Sequence, residues 1–583
     1  MHVLLAGDGP AVEAVAAALA DVDCDVERGD PGDVGGADLG VVVDDGGAGA
    51  FDAANDAALD GGTTWLAVEL GGVGGFDLGS VDAAVSGFGP GTGCFECLAS
   101  RVASNRPRDD EGRDVESTAE SADLDASVRR FAGALAGREA TTLAAGDSSA
   151  VLGGVLELPH AERELLPVPG CRCDAGGRDR RVRTDHRAVA LDDALAAAER
   201  GLDDRVGLVA DVGEAESYPA PYYLARTCDT SAFAAARAAP QSAGVDADWN
   251  AAFMKALGEG LERYCAGVYD ERDFETAPPG VVDGGVTPAD VVRREDAPAV
   301  DPEEPIRWVP GVDLAAGDRT YLAAELVQFP PPSERYAAAI TTGLGLGSSG
   351  ADAIVSGLTE VLERDATMLA WYSSFAPLEL RVDADRYRTL AKRARSEGLE
   401  TTALLVTQDV DVPVVAVAVH REDGEWPRFA VGSDAALDPE AAATDALAEA
   451  LQNWMELRSM GRSAANAEDG AIGAFGDYPR AADAFLDADG PVPASSVGPA
   501  PVPDDAARVD ALVDAVGDAG LTPYAARVTT RDVDALGFEA VRVLVPDAQP
   551  LFTDDPVFGE RAREVPESLG FEPRRDRRHH PYP

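Results

Sequence analysis

The sequence predicts two domains of different class: an N-terminal Rossmann-like α/β domain with a zinc site, and a larger α+β domain after it. Three observations predict this. Strand and helix signals alternate through the first hundred or so residues. Two close cysteine pairs then follow on glycine-rich turns. Beyond them, a short acidic pattern recurs on segments with helical periodicity.

In the first domain, Val3–Ala6 reads as a short buried strand, Gly7 to Pro10 as a turn and Ala11–Ala20 as a helix. Leu39–Val43 and Thr64–Val68 read as further buried strands. The first turn departs from the dinucleotide-binding G-x-G-x-x-G pattern, because Val12 stands at its third glycine. A plain tight turn before a helix is the expectation. Residues 103–125 are polar and read as a loop, and the arginine-rich run 174–187 as a solvated hinge. The expected division is 1–173 for the first domain, 174–194 for a linker and 195–583 for the second domain. Within the latter, 487–507 reads as an extended surface connection.

Charge bounds the setting. The 583 residues carry 104 Asp and Glu against 49 Lys and Arg, a net charge of −55. The acidity is spread along the whole chain, and Lys255 and Lys392 are the only lysines. At a Debye length of about 3 Å in molar salt, such self-repulsion is screened. The composition therefore points to a salt-loaded cytosol, as in a halophilic archaeon. It provides no broad basic face for nucleic-acid phosphates. Nothing in the sequence reads as a signal peptide or membrane span, so a cytoplasmic protein is expected.

Cys94 and Cys97 form a C-x-x-C, and Cys171 and Cys173 a C-x-C. Four thiolates brought together from two turns suit a structural zinc ion. A partial site and a redox pair are the alternatives. Cys24, Cys228 and Cys265 read as isolated or buried thiols.

The acidic pattern appears first as Ala256-Leu-Gly-Glu259-Gly-Leu-Glu262-Arg263, then as Gly357-Leu-Thr-Glu360-Val-Leu-Glu363-Arg364. A third copy, Ala446-Leu-Ala-Glu449-Ala-Leu-Gln452, ends in an amide. A spacing of three puts each pair on one helix face, one turn apart. Apolar and small flanks make a fully solvated face awkward, and buried carboxylates need a counter-charge. Magnesium shared between carboxylates and nucleotide phosphates supplies one.

At these residues the chain resembles the YcaO family. The family motif S-x-x-x-E-x-x-E-R falls on Lys255, Glu259, Glu262 and Arg263, with lysine in place of serine. The stretch TTGLGLGSSGADAIVSGLTEVLERDA matches a second motif and places Glu360, Glu363, Arg364 and Asp365. Glu449 and Gln452 match a third, E-x-x-Q. The resemblance covers roughly residues 195–583. It implies that Glu259, Glu262, Glu360 and Glu363 hold Mg²⁺, and that these residues with Lys255, Arg263, Glu449 and Gln452 bind ATP. Lys255 is read either as reaching a phosphate or as lying along the surface. Ser348, beside Gly345, Gly347 and Ser349 at a helix start, is read either as part of a phosphate cradle or as a cap.

The first domain resembles, through FGPGTGCFECLASRV and PGCRC, the ubiquitin-activating-enzyme-like docking domain fused to azoline-forming YcaO proteins. A leader-binding module, often found before that domain, is not evident in this sequence. The last residues, His579-His580-Pro581-Tyr582-Pro583, resemble the P-x-P-x-P ending of those proteins. That resemblance implies an active-site role for Pro581 and Pro583; a frayed tail is the other reading.

The expected activity is ATP-dependent O-phosphorylation of a peptide or protein backbone amide, leading to cyclodehydration of Cys, Ser or Thr. Thioamidation by the same chemistry, a non-catalytic adaptor and true adenylation by the first domain are the rivals. A separate leader-binding or sulfur-donor protein is a possible partner, and a homodimer a possible assembly.

Overall fold

The computed structural model describes residues 1–106, 124–159, 161–174, 176–467, 472–505 and 507–583. Most of the polar stretch 103–125 lies outside the described residues. The chain divides into two compact units. One comprises Met1–Arg178, Glu199–Asp211 and Cys228–Ala235, the other Asp179–Ala198, Val212–Thr227 and Ala236–Pro583.

The first unit is built on a seven-stranded sheet. Its spatial order is Asp25–Arg28, His2–Ala6, Leu39–Asp45, Thr64–Leu70, Ala83–Phe88, Gly154–Leu158 and Ala161–Glu164. The first four strands run parallel and the rest antiparallel. Apart from the exposed edge strand Asp25–Arg28, the parallel strands are near-continuous apolar runs because helices cover the sheet. Val3, Leu5, Val41 and Leu66 are fully buried on one side, beneath the helices Gly9–Leu19 and Ala126–Ala144. Leu4, Val42, Trp65 and Ala67 are buried on the other side, against Ala50–Gly61 and Phe95–Asn105. Strand and helix thus fall where hydrophobic periodicity placed them. The first turn requires Gly7: its φ is 107°, and a β-carbon there would strike the carbonyl of Val43 in the neighbouring strand. Val12 is buried against this turn rather than leaving it open.

The second unit combines mainly antiparallel sheets with long helices, an α+β arrangement in which Asp489–Pro493 pairs parallel with Leu378–Arg381. One sheet runs in the order Glu275–Ala277, Ile306–Asp313, Tyr524–Arg527, Glu539–Leu544 and Leu344–Gly347, with Arg319–Ala323 also paired to Ile306–Asp313. Another runs Phe429–Ala435, Val414–His420, Glu400–Leu405, Leu378–Arg381 and Asp489–Pro493. The strands Tyr222–Thr227 and Gln241–Val245 pair antiparallel.

The three acidic segments are the helices Trp249–Gly267, Gly350–Trp371 and Pro439–Met460. Asp248, Ser349 and Asp438 cap them, each accepting a backbone N–H of the first turn. Each helix lies against one strand at a glycine. A β-carbon on Gly244 would collide with Ala252, on Gly345 with Ala353 and on Gly432 with Ala446. The same close strand–helix contact therefore occurs three times.

The arginine-rich run differs from the solvated hinge expected. Arg183 pairs with Asp534 and Glu539, and Arg187 donates to the carbonyls of Ser348 and Gly537. The carbonyl of Asp185 accepts from Ala351 N–H at 3.1 Å. In an acidic chain, a cluster of arginines finds carboxylates close by and docks on them. No helix among the described residues is long and apolar enough to cross a membrane.

Candidate active site and cysteine cluster

The three glycine contacts bring each helix close enough for its first glutamate to reach back to its own sheet. Glu259 Oε2 accepts from Ala243 N–H at 2.8 Å, Glu360 Oε2 from Gly343 N–H at 2.9 Å and Glu449 Oε2 from Ser433 N–H at 2.6 Å. This leaves the other oxygen of Glu360 and Glu449 available, whereas Glu259 Oε1 accepts from Arg263 at 3.2 Å.

The second acidic position lies deeper. Glu363 is 5% exposed, accepts from Ser433 Oγ at 2.6 Å and stands 3.1 Å from Arg364 Nη1. Burial pushes its carboxyl up to about 8; Arg364 opposes the shift, whereas the charges of Glu449 and Glu360 add to it. Burial likewise pushes Glu262 up to about 8, with Glu360 and Glu259 adding to the effect against Arg263. Glu449 and Asp434 are also raised by burial, Asp434 strongly, with Asp445 and Glu363 among the charges acting on it. The glutamates of three helices thus act electrostatically on one another. Three arginines serve them: Arg263, 3.2 Å from Glu259, Arg364, and Arg542 on the strand Glu539–Leu544. Burial lowers Arg542 to about 10, while Glu360 and Glu262 hold it charged. Its guanidinium donates to the carbonyls of Thr341 and Ile340, both at 2.9 Å.

This donor set fits a hard divalent cation. The oxygens are carboxylate, buried at Glu363 and half-buried at Glu259, Glu262, Glu360 and Glu449, and the carboxylates outnumber the nearby arginines. Among the described residues, only the cysteine quartet brings three or more candidate ligand atoms within 4.8 Å of one another. The carboxylates stand further apart, as suits ions that complete their shell with phosphate oxygens and water.

The remaining candidates separate. Lys255 is held 3.0 Å from buried Asp246 and 2.9 Å from Asp445. Ser348 lies between the strand Leu344–Gly347 and Ser349, the cap of the helix Gly350–Trp371 that carries Glu360, and its carbonyl accepts from Arg187. Asp365 is bound to Arg561 at 2.7 Å and accepts from Gln549 N–H at 2.7 Å, which makes it a packing group.

Sequence reasoning missed Ser433, Asp434, Arg542, Tyr222 and Glu456. Arg542 left a signal, as a lone charge in the apolar run AVRVLV. Glu456 left another, one turn beyond Gln452 on the same face. Tyr222 lies far away in sequence and left none.

The tail is docked. Trp371 Nε1 donates to the carbonyl of Arg578 at 2.8 Å, and the guanidinium of Arg577 lies over the Trp371 ring at 4.0 Å. His580 Nε2 donates to the carbonyl of Phe552 at 2.6 Å. Burial drives His580 down to about 3, so it is neutral at working pH. Tyr582 is 3% exposed, and Glu363, Arg364 and Glu449 act electrostatically on its phenol. Pro583 borders a cavity of about 530 Å³ whose wall includes Glu360, Arg364 and Arg542. Phe329, Ile340, Val361 and Phe552 give that cavity an apolar side.

In the first unit the four cysteines meet. Cys94 Sγ lies 3.9 Å from Cys97 and 3.5 Å from Cys171, and Cys97 lies 3.5 Å from Cys173. A tetrahedron with Zn–S bonds near 2.3 Å has edges of about 3.8 Å. Val168 N–H donates to Cys97 Sγ at 3.3 Å. No disulfide joins any of the seven cysteines.

The architecture is that of solved heterocyclases. One, described as a heterocyclase in complex with substrate and cofactor, superposes with a TM-score of 0.73 at 21% identity. The match covers 98% of this chain and 83% of that one. The heterocyclase TruD gives 0.67 at 19% identity, over 98% and 82% of the two chains. Residues 243–549 match the YcaO family profile, described as an ATP- and Mg²⁺-binding cyclodehydratase. The match spans more than half of the chain, and the chain belongs to the YcaO family. Two curated relatives are uncharacterised proteins. One, from the tfuA 3′ region of Rhizobium leguminosarum bv. trifolii, is 28% identical over 167 residues, 26% of this chain and 39% of that protein. The other, from Methanothermobacter thermautotrophicus, is 29% identical over 219 residues, 36% and 56% respectively. The chain therefore spans about half, or less, of the curated relatives it matches.

The raised carboxyls link cation binding to pH. Glu262 and Glu363 rise from 4.5 to about 8 in the folded chain. Their contribution to stability is fully present below about pH 4.5 and is lost as pH rises through about 8. Without divalent cation, the melting temperature is expected to fall across that window because of these groups. Added Mg²⁺ should raise it more at about pH 8 than at about pH 6, because binding must displace the protons. Differential scanning fluorimetry across pH, with Glu262→Gln as the variant that flattens the profile, checks this.

Proposed function

We propose that this chain activates a backbone amide of a peptide or protein by ATP-dependent O-phosphorylation and that the product is an azoline. The observation that carries this reading is the set of buried and half-buried, mutually repelling glutamates from three equivalent strand–helix units, next to a cavity bordered by the tail.

Glu259, Glu262, Glu360 and Glu363 are proposed as Mg²⁺ ligands. Glu449, Gln452, Arg263 and Ser348 are proposed to complete the ATP site, with Lys255 acting through its carboxylate partners. Bound Mg²⁺ would neutralise phosphate charge and orient the phosphoryl group. The chain's own groups would do the rest. Arg364 and Arg542 face the cavity and would steady the oxyanion that forms when a Cys, Ser or Thr side chain adds to the amide carbon. The apolar wall would exclude water from the activated amide. Pro581 and Pro583 are proposed to shape the substrate end of the cavity. The amide oxygen would take the γ-phosphoryl group and leave as inorganic phosphate, with ADP as the other product.

The reading extends to the remaining parts of the chain. The four cysteines are proposed to hold structural zinc, supported by their sulfur spacing. Residues 1–173 are proposed as a ubiquitin-activating-enzyme-like docking domain, 174–194 as a linker and 195–583 as the catalytic domain. A separate leader-binding or sulfur-donor protein is a proposed partner, a homodimer the proposed assembly, and a high-salt cytosol the proposed setting.

The test is product analysis with ATP, Mg²⁺ and a library of peptides containing Cys, Ser or Thr. Loss of one water from a peptide, matched by one ADP and one phosphate, with label from the amide oxygen recovered in phosphate, is expected. Exchange of amide oxygen for sulfur when sulfide is supplied would make the chain a thioamidating enzyme. AMP and pyrophosphate would overturn the proposal.

A further inference from the structure

Beyond the family motif, the third glutamate helix carries a hydrogen-bonded chain that ends at the site. Tyr222 lies on the strand Tyr222–Thr227, and its hydroxyl donates to Glu456 Oε1 at 2.6 Å. Gln452 Nε2 donates to the same oxygen at 3.0 Å. Gln452 is one turn before Glu456 and one turn after Glu449, so all three share a helix face. Tyr222 is 6% exposed and pinned by packing against the core around Trp454 and Leu451.

The chemistry of this chain fixes an orientation. An amide side chain has a donor end and an acceptor end, and its surroundings decide which faces where. A carboxylate oxygen only accepts, so Gln452 must turn its nitrogen to Glu456. Its Oε1 is then presented the other way, with no donor on it among the described residues. Tyr222, whose phenol is raised by burial and by the charge of Glu456, stays a donor and holds Glu456 in place.

We infer that Glu456 and Tyr222 are positioning residues that lock the Gln452 amide with its oxygen toward the nucleotide–cation site. The inference rests on the proposed ATP and Mg²⁺ site. Gln452 supplies the neutral oxygen donor that a cation already surrounded by carboxylates accepts without further charge. Glu456 does not touch the ligand and acts only through Gln452.

Because the action is serial, its effects are non-additive. Mg²⁺-dependent ATP binding, measured by calorimetry on the full chain in high salt, is expected to weaken roughly tenfold in Glu456→Gln, whose amide permits Gln452 to flip. Gln452→Ala should lose about as much, and the double variant no more than either single one. Tyr222→Phe should weaken binding in the same direction by a smaller factor, and it serves as the test if Glu456→Gln does not fold. Losses that multiply in the double variant would mean that Glu456 supports the fold and not Gln452. Wild-type affinity in both Glu456→Gln and Tyr222→Phe would overturn the inference and leave the ATP site standing. No Mg²⁺-dependent binding by the wild type would overturn the ATP site and this inference with it.

Discussion

Glu363→Gln is expected to reduce Mg²⁺-dependent ATP affinity by on the order of a hundredfold or more, while leaving the cation-free protein at least as stable as the wild type. The two halves have one cause. Glu363 is buried beside Glu449 and Glu360, and its carboxyl is pushed up to about 8. At neutral pH the empty site therefore holds this group in a form that must give up its proton before it can ligate a cation. Glutamine keeps the shape and can still accept from Ser433 Oγ, which donates at 2.6 Å in the wild type. It removes both the like-charge repulsion and the ligand charge. Arg364 keeps Glu449, Glu360 and Asp434 as counter-charges, so it is not stranded. Calorimetry gives the affinity and a thermal melt without divalent cation gives the stability. A variant that bound normally, or one that lost binding only by unfolding, would contradict this account of Glu363.

The second large effect concerns the first unit. Cys97→Ser is expected to remove about one equivalent of zinc per chain and to lower the melting temperature of that unit by on the order of 10 °C. Cys97 is fully buried, takes a backbone N–H from Val168, and lies 3.5 Å from Cys173 and 3.9 Å from Cys94. The C-x-C bite of the second pair is tight, but it does not prevent the four sulfurs from meeting, because each of its members contacts a different member of the first pair. Metal analysis of protein purified without chelator reads the zinc. A metal-free preparation whose thiols cycle reversibly with disulfide would make the quartet a redox pair instead.

Much of this was legible because the signals are local. Three of the four parallel strands of the first unit are apolar runs between turns, and periodicity finds them; the fourth, Asp25–Arg28, is polar and exposed and left no such signal. Glu259, Glu262, Glu360, Glu363 and Glu449 announce themselves by spacing of three on a repeating background. What spacing cannot show is which element a helix leans on. Ser433 and Arg542 enter the site from strands, and their roles depend on sheet order, in which Leu344–Gly347 lies beside Glu539–Leu544. Lys255 was open to two readings, and the structure shows a third: an ion pair with Asp246 and Asp445, whose partners lie nine positions before it and on another helix. The arginine run 174–187 was misread as solvated because a polar composition says nothing about complementary charge elsewhere. Glu456 was visible by helical register, and only Tyr222, far away in sequence, gives it meaning.

The central claim is that carboxylates from the helices Trp249–Gly267 and Gly350–Trp371 hold divalent cations on nucleotide phosphates. The most direct measurement is a crystal structure with a non-hydrolysable ATP analogue and Mn²⁺ in place of Mg²⁺, read by anomalous scattering. The account expects metal peaks between the helices Trp249–Gly267 and Gly350–Trp371, within about 2.3 Å of oxygens of Glu259, Glu262, Glu360 or Glu363 and bridged by phosphate. Analogue bound with its metal away from these carboxylates, or carboxylates that bind neither, would contradict it.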